Sequence, residues 1–338
     1  MKTLASLAIL CAVLALYASH VRNASFVFED DRVLTSTAFS SWGQMLTTGR
    51  GLTTESWTHI RTPSAAHALN VALHLMIVLL CGLLFWQITG VAGIGLGIAG
   101  IVALHPLTTE GVAYATSRAE LIAAIGALLA LLAVSATPRW PWLLVPGALL
   151  VAYAGKETGI VAVALIPLVL WAAGQRTRLE DALWLIGGAL VVTSAIWLPH
   201  IPALLVLGHT PRMQVGVVAW VLTQAEAVWR LIVLSVAPWP GWLSASQNIT
   251  GPTWIGGGAA LVLLAGLLEG AWRARTSAPL LTLGIVWCAI VAAPRFLVRT
   301  PLSPFNEHQW YLAIPGVACC LMAGIDRIAA WRETTCPA

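Results

Sequence analysis

From Ala66 to Gln87 the chain reads AHALNVALHLMIVLLCGLLFWQ, without one Asp, Glu, Lys or Arg. At about 1.5 Å per residue, a helix of that length crosses the ~30 Å hydrocarbon core of a bilayer. Inside a bilayer every backbone amide and carbonyl must pair within the protein, and a helix does this unaided. Apolar stretches of the same kind recur near 3–20, 91–104, 119–136, 141–154, 158–174, 182–198, 254–271, 279–293 and 310–326.

Composition agrees with that reading. Of 338 residues, 59% are hydrophobic and 9% charged, and the mean hydropathy is +0.84. A soluble domain carries about 25% charged residues, so too few remain here to cover a water-facing surface. Unbroken apolar runs also exclude the alternating pattern of an outer-membrane barrel. The expected fold is an all-α polytopic membrane protein of about 10 transmembrane helices, within a range of about 9–11. The net charge of +4 is small, and the basic residues are not clustered as nucleic-acid binding requires. Six cysteines lie almost entirely within apolar runs and lack metal-ligand spacing. The apolar run from Leu4 to Tyr17 reads as an uncleaved first span rather than a secretory signal.

With Lys2 inside, alternation of the spans puts both termini in the cytoplasm and Arg139, Arg176, Arg178, Arg273 and Arg275 in inner loops. Ten of the 18 Lys and Arg nevertheless fall on the outer side, against the orientation bias. Most carboxylates and histidines lie there as well, while the span middles are nearly free of ionisable groups. A transporter or channel needs polar groups near the midplane, so a site at one membrane face is the better reading. Three regions follow. Residues 1–198 form an N-terminal transmembrane module with an acidic first outer loop at 22–64. Residues 199–253 form an outer loop, and residues 254–338 carry the C-terminal helices. Ser41–Leu46 and Val217–Val236 are expected to be interfacial helices within the outer loops, the second interfacial or re-entrant.

Several constellations on that face carry chemistry. Glu29, Asp30 and Asp31 are adjacent and repel one another, so one can accept a proton from a hydroxyl as a general base. His67, Asn70 and His74 recur at i, i+3 and i+7 on one helix face. They hydrogen-bond the first outer loop or line a polar cleft, or else bond helix to helix, and a metal site there lacks an evident third ligand. Arg118 and Lys156 stand at neighbouring helix ends, where a phosphate would find a guanidinium fork and an ammonium.

The order of these residues resembles the TMTC-like and protein O-mannosyltransferase-like branch of the GT-C membrane glycosyltransferases. Phe26-Val27-Phe28-Glu29-Asp30-Asp31 resembles the acidic motif of the first outer loop in that family. Arg50-Gly51-Leu52-Thr53, His67-Ala68-Leu69-Asn70 with His74, His105-Pro106 with Glu110, and Ser117-Arg118-Ala119-Glu120 continue the series. Gly155-Lys156-Glu157, Leu222-Thr223-Gln224 before Pro238, and Asn306-Glu307-His308-Gln309-Trp310-Tyr311-Leu312 complete it.

The resemblance implies a polyprenyl-phosphate-linked sugar as donor and an inverting transfer to an acceptor hydroxyl on a protein or glycan. It assigns Asp30 or Asp31 as the base, Arg118 and Lys156 as holders of the lipid phosphate, and Glu157, Glu307 and His308 to the donor pocket. Arg50, His67, Asn70, His74, His105 and Glu110 line the cleft in that picture. No cofactor is implied beyond the lipid-linked donor, and a divalent metal is left open. The expected location is a multi-pass protein of the bacterial inner membrane, ahead of the endoplasmic reticulum, with membrane lipids and other membrane proteins as partners. Two departures stand out. Gln309 occupies a place where such proteins commonly carry Arg, and the chain ends at Ala338 without tetratricopeptide repeats. They favour, as alternatives, a non-catalytic membrane subunit of the same fold and then a transporter of lipid-linked sugars.

Overall fold

The computed structural model describes residues 2–26, 30, 50–60, 62–136, 144–175, 183, 184, 187, 216–238, 254–297 and 307–335. The structure is about 90% helical and has no strand among the described residues. The chain divides into two compact units, one of Met1–Thr210 with Glu307–Leu312, the other of Pro211–Asn306 with Ala313–Ala338.

The first unit contains α1 (Lys2–Arg22), α2 (Gly51–His59), α3 (Pro63–Thr89), α4 (Ala92–Leu104), α5 (Thr109–Ala113), α6 (Arg118–Ser135), α7 (Val145–Gly155) and α8 (Val161–Ala172). Helix α3 starts with Pro63 in its first turn, where a missing N–H costs nothing, and closes on Gly90. It packs against α4 on one side and α6 on another. Helix α6 is the innermost element, with four-fifths of its span buried. Its fit against α7 depends on the absence of a side chain, because a Cβ on Gly126 would lie 2.6 Å from the Ala152 Cα. Without a solvent to expel, membrane helices associate through this kind of close contact between small residues.

The second unit contains α9 (Val217–Val236), α10 (Trp254–Ala274), α11 (Pro279–Leu297) and α12 (Ile314–Thr335). Helices α9, α10, α11 and α12 pack in that sequence. The Trp220 indole N–H donates to the Arg295 carbonyl at 3.1 Å, and the Thr282 hydroxyl donates to the Ala271 carbonyl at 2.9 Å.

Among the described residues, seven helices are long and apolar enough to cross a membrane. The count is eight if α4 and the Pro106–Ala113 segment, bent by 60° at their junction, form one broken span. The expected spans near 3–20, 66–87, 119–136, 254–271, 279–293 and 310–326 all appear, each within a few residues. Those near 141–154 and 158–174 appear as α7 and α8, which are shorter than a full crossing. All but residues 183, 184 and 187 of the span near 182–198, and the interfacial helix at Ser41–Leu46, lie outside the described residues. Helix α9, expected at the interface, is a continuous helix of 20 residues that meets the same length and hydropathy requirement as the others. A crossing by α9 would reverse the side on which α10 begins.

If the α6–α7 contact depends on the bare Gly126 backbone, Gly126→Val should lower stability by roughly 1–3 kcal/mol. Gly147, with nothing within 4 Å of a Cβ, should accept Ala without loss. Thermal unfolding of the two variants in detergent checks this, and equal midpoints would contradict it.

Candidate functional site

The polar residues of the first unit gather where the first part of α3 meets α2, the α5 turn and the start of α6. Arg118 is the centre of this cluster. Its residue is fully buried, and its guanidinium donates from Nε to the Asn70 Oδ1 (3.1 Å) and from Nη2 to the Ala66 carbonyl (3.2 Å). From Nη1 it donates to the Ser56 Oγ (3.0 Å) and carbonyl (3.3 Å). Asn70, also fully buried, turns its amide N–H groups to the carbonyls of Tyr114 (2.8 Å) and Val112 (3.3 Å). One cation therefore binds α2, α3 and α6 together.

Two residues before Arg118, the Thr116 backbone N–H (2.9 Å) and hydroxyl (3.1 Å) both donate to the Asp30 Oδ1. Asp30 has no exposed surface. Asp31 and Glu29 lie outside the described residues. Asp30, the described member of the acidic triplet, is placed against the site.

Helix α2 is tied down at three points. Arg50, its left-handed cap residue with φ 64°, forks onto Glu157 through Nε (2.9 Å) and Nη2 (2.6 Å). Thr53 donates to the Gly155 carbonyl at 2.8 Å, and Ser56 accepts from Arg118. Burial alone would push the Glu157 carboxyl up, but the Arg50 fork and the Lys156 charge outweigh it and hold it at about 2. Lys156 itself is buried and paired with Glu120 of α6. Two ion pairs thus stand side by side, Arg50–Glu157 partly exposed and Lys156–Glu120 enclosed.

His67, His74 and His105 are buried. His20 of α1 places Nε2 3.0 Å from the Ala113 carbonyl and 3.2 Å from the His67 Nδ1. A carbonyl only accepts, so this network assigns the proton to His20 Nε2 and leaves His67 Nδ1 as acceptor. His74 bridges the Ala103 carbonyl (3.2 Å) and the Tyr311 hydroxyl (2.5 Å). His105 folds back on its own turn, where its Nδ1 accepts from the Leu107 N–H at 3.2 Å. The α3 polar face bonds in both directions, with His67 Nε2 3.4 Å from the Ser25 carbonyl of the first outer loop, and with Asn70 and His74 on neighbouring helical segments.

The last part of the site comes from Glu307–Leu312. Glu110 accepts from the His308 backbone N–H (2.9 Å) and meets its Nδ1 (3.0 Å). The Tyr311 ring lies on Gly111, where a Cβ would come within 2.6 Å of it. Glu307 is buried, and its Oε1 has no hydrogen-bond partner among the described residues. Burial first, then the Glu110, Asp30 and Glu307 carboxylates, push the Tyr114 phenol up. Three carboxylates distant in sequence therefore act on one residue. No group of three His, Cys, Asp or Glu among the described residues is placed to hold a metal ion.

Sequence reasoning had named the two cations, the carboxylates and the α3 polar face. It missed Thr116, His20 and Ser56, whose residue types carry no signal without their partners, and held Tyr311 only as part of a motif. Arg118, expected to present its fork to a phosphate, directs four of its five N–H donors to acceptors within the protein. The physical reason is local: at full burial a guanidinium needs its donors satisfied, and the Ala66 carbonyl, Asn70 and Ser56 are the acceptors within reach. Against known proteins, the chain matches no family model, no curated protein and no solved structure.

The different settings of the two arginines are testable by unfolding in detergent. Arg118→Met strands several buried acceptors and should remove roughly 2–5 kcal/mol of stability. Arg50→Gln breaks a pair whose side chains are 40% and 34% exposed and should change stability by no more than about 1 kcal/mol. Similar losses from both would contradict the assignment of Arg118 as the organising cation.

Proposed function

We propose that the chain is a membrane glycosyltransferase that moves a sugar from a polyprenyl-phosphate donor to an acceptor hydroxyl at the outer face of the membrane. The observation that carries this reading is Asp30, a fully buried carboxylate clamped by Thr116 on the turn that leads into Arg118. A carboxylate held in place among apolar helices is a rare and expensive feature, and it is the kind a general base requires. The order of motifs along the chain, which resembles the GT-C enzymes, points the same way.

In the proposed reaction Asp30 takes the proton from the acceptor hydroxyl as its oxygen attacks the anomeric carbon. The bond from that carbon to the phosphate oxygen breaks, and the bond pair leaves with the polyprenyl phosphate. A single displacement of this kind inverts the anomeric centre. The developing charge on the phosphate needs cations that can be given up by their present partners. Arg50 and Lys156 suit this, since each is paired with a carboxylate that a phosphate can replace. Arg118 does not, because it would have to leave acceptors on two helices. Its role is to hold the frame in which Asp30 stands.

A second reading has its own support. Both cations named for the phosphate, Arg118 and Lys156, are engaged within the protein, as they would be in a non-catalytic subunit that keeps the fold. Purified protein incubated with radiolabelled polyprenyl-phosphate sugars separates the two. Transfer or release of the sugar supports the enzyme, and binding without either supports the subunit. Movement of the intact lipid across a vesicle membrane would favour a transporter instead.

Two variants sharpen the enzyme reading. Asp30→Asn keeps size and hydrogen bonding, so donor binding should persist while transfer falls by about two to four decades. Transfer at the parent rate would remove Asp30 from the base role. Arg50→Ala and Lys156→Ala should each weaken donor binding by about one to two decades, the loss of one charge-assisted hydrogen bond. Arg176→Ala, placed by its sequence on the opposite face, should leave binding unchanged. Equal losses from all three would mean general damage to the fold, and the phosphate assignment would fall.

A further inference from the structure

We infer that His20, near the end of α1, is a positioning residue for Asp30. Through the Ala113 carbonyl and His67 it holds the start of the first outer loop in register with the turn that clamps that carboxylate. Asp30 takes two bonds from Thr116, the backbone N–H at 2.9 Å and the hydroxyl at 3.1 Å. These fix the carboxylate against the turn, but the turn must also be fixed against the chain from which Asp30 hangs. Seven residues separate Arg22, the last of α1, from Asp30. Fully extended they would reach about 23 Å, so the end of α1 does not by itself confine Asp30.

The confining contacts converge on one atom. His20 Nε2 lies 3.0 Å from the Ala113 carbonyl and 3.2 Å from His67 Nδ1, with the two rings edge-on at 4.5 Å between centroids. Its single hydrogen faces both acceptors. Ala113 closes α5 three residues before Thr116, so this bond ties α1 to the turn itself. The bond to His67 carries the constraint further. With Nδ1 accepting, a neutral His67 bears its proton on Nε2, which donates to the Ser25 carbonyl at 3.4 Å. His20 therefore selects the tautomer with which His67 holds the loop five residues before Asp30.

Packing follows the same line. Phe26, next to Ser25, packs on the cluster of Trp57, Ala66 and Ala115. Ala66 precedes His67 in α3, and Ala115 precedes Thr116 in the turn. Ser25, Phe26 and Asp30 are thus each held against α3 or the turn before α6. Removing the His20 donor leaves the Ala113 carbonyl and His67 Nδ1 without it and frees the His67 ring to turn. Asp30 then keeps its charge and loses its place. A misplacement of about 1 Å costs on the order of 10²-fold in rate. That effect on transfer rests on the reading of Asp30 as the base; the placement of Asp30 does not.

Two variants of the full chain in detergent test it. His20→Leu keeps bulk and removes the donor, while His20→Gln presents an N–H at similar reach. Amide deuterium exchange is read at Thr116, whose N–H is bonded to Asp30, and along the middle of α6. His20→Leu should speed exchange at Thr116 by about ten-fold, the scale of one lost hydrogen bond, and leave α6 at the parent rate. His20→Gln should restore the parent rate at Thr116. Sugar transfer is the second arm: kcat should fall by about one to two decades in His20→Leu with KM little changed, and recover in His20→Gln. Parent-like exchange at Thr116 in His20→Leu, or equal acceleration along α6, overturns the inference. So does a His20→Gln protein that exchanges fast at Thr116, a result that decides the matter even where His20→Leu does not fold. Exchange needs no sugar donor, so a parent that transfers nothing removes the base reading and leaves the placement by His20 to be judged at Thr116.

Discussion

A guanidinium with no exposed surface sits among helices made almost wholly of apolar residues, and the polar end of the first unit is arranged around it. Arg118 cannot shed its charge, so burial demands that its donors be met by acceptors brought from elsewhere in the chain. Those acceptors are Asn70 and Ala66 on α3 and Ser56 on α2. Meeting that demand fixes the depth of α3 against α6 and holds α2 over their ends. It also fixes the turn before α6, where Thr116 receives Asp30.

The bilayer explains why these groups are confined to one end. Polar side chains that cannot reach water have to be paired, and pairing is achieved most easily where irregular turns supply free carbonyls. The turns around Pro106–Thr108, Ala115–Ser117 and Glu157–Ile160 do this. The carbonyls of Val112, Ala113 and Tyr114 accept from Asn70 and His20. Where α6 and α7 pack through their middles, contact between small residues such as Gly126 and Ala152 takes over. Close packing at one end and polar pairing at the other are two answers to the same solvent.

Much of the fold was legible in the sequence because its governing variable is local. A run such as 66–87 carries its own hydropathy and length, and α3 follows from them. Helix α2 was not legible: Gly51–His59 is polar and short, and its helical state rests on ties to Glu157, Gly155 and Arg118. Within the candidate site, residue types were readable and partners were not. His67, Asn70 and His74 share a face by spacing alone, yet the positions of His20, Tyr114 and Tyr311 turn that face into a set of hydrogen bonds. Thr116 illustrates the limit most clearly. An unremarkable threonine in the sequence, it becomes the contact that places Asp30, and nothing in its neighbourhood along the chain announces that role.

The account turns on whether the charges at this end exist to receive a lipid phosphate. The most direct measurement is a cryo-electron microscopy structure of the purified protein with a polyprenyl-phosphate hexose bound. Phosphate density within hydrogen-bond distance of Arg50 and Lys156, with the anomeric carbon turned towards Asp30, is the predicted result. Density for the phosphate at the opposite end of the helices, with Arg50 still on Glu157 and Lys156 still on Glu120, would contradict it.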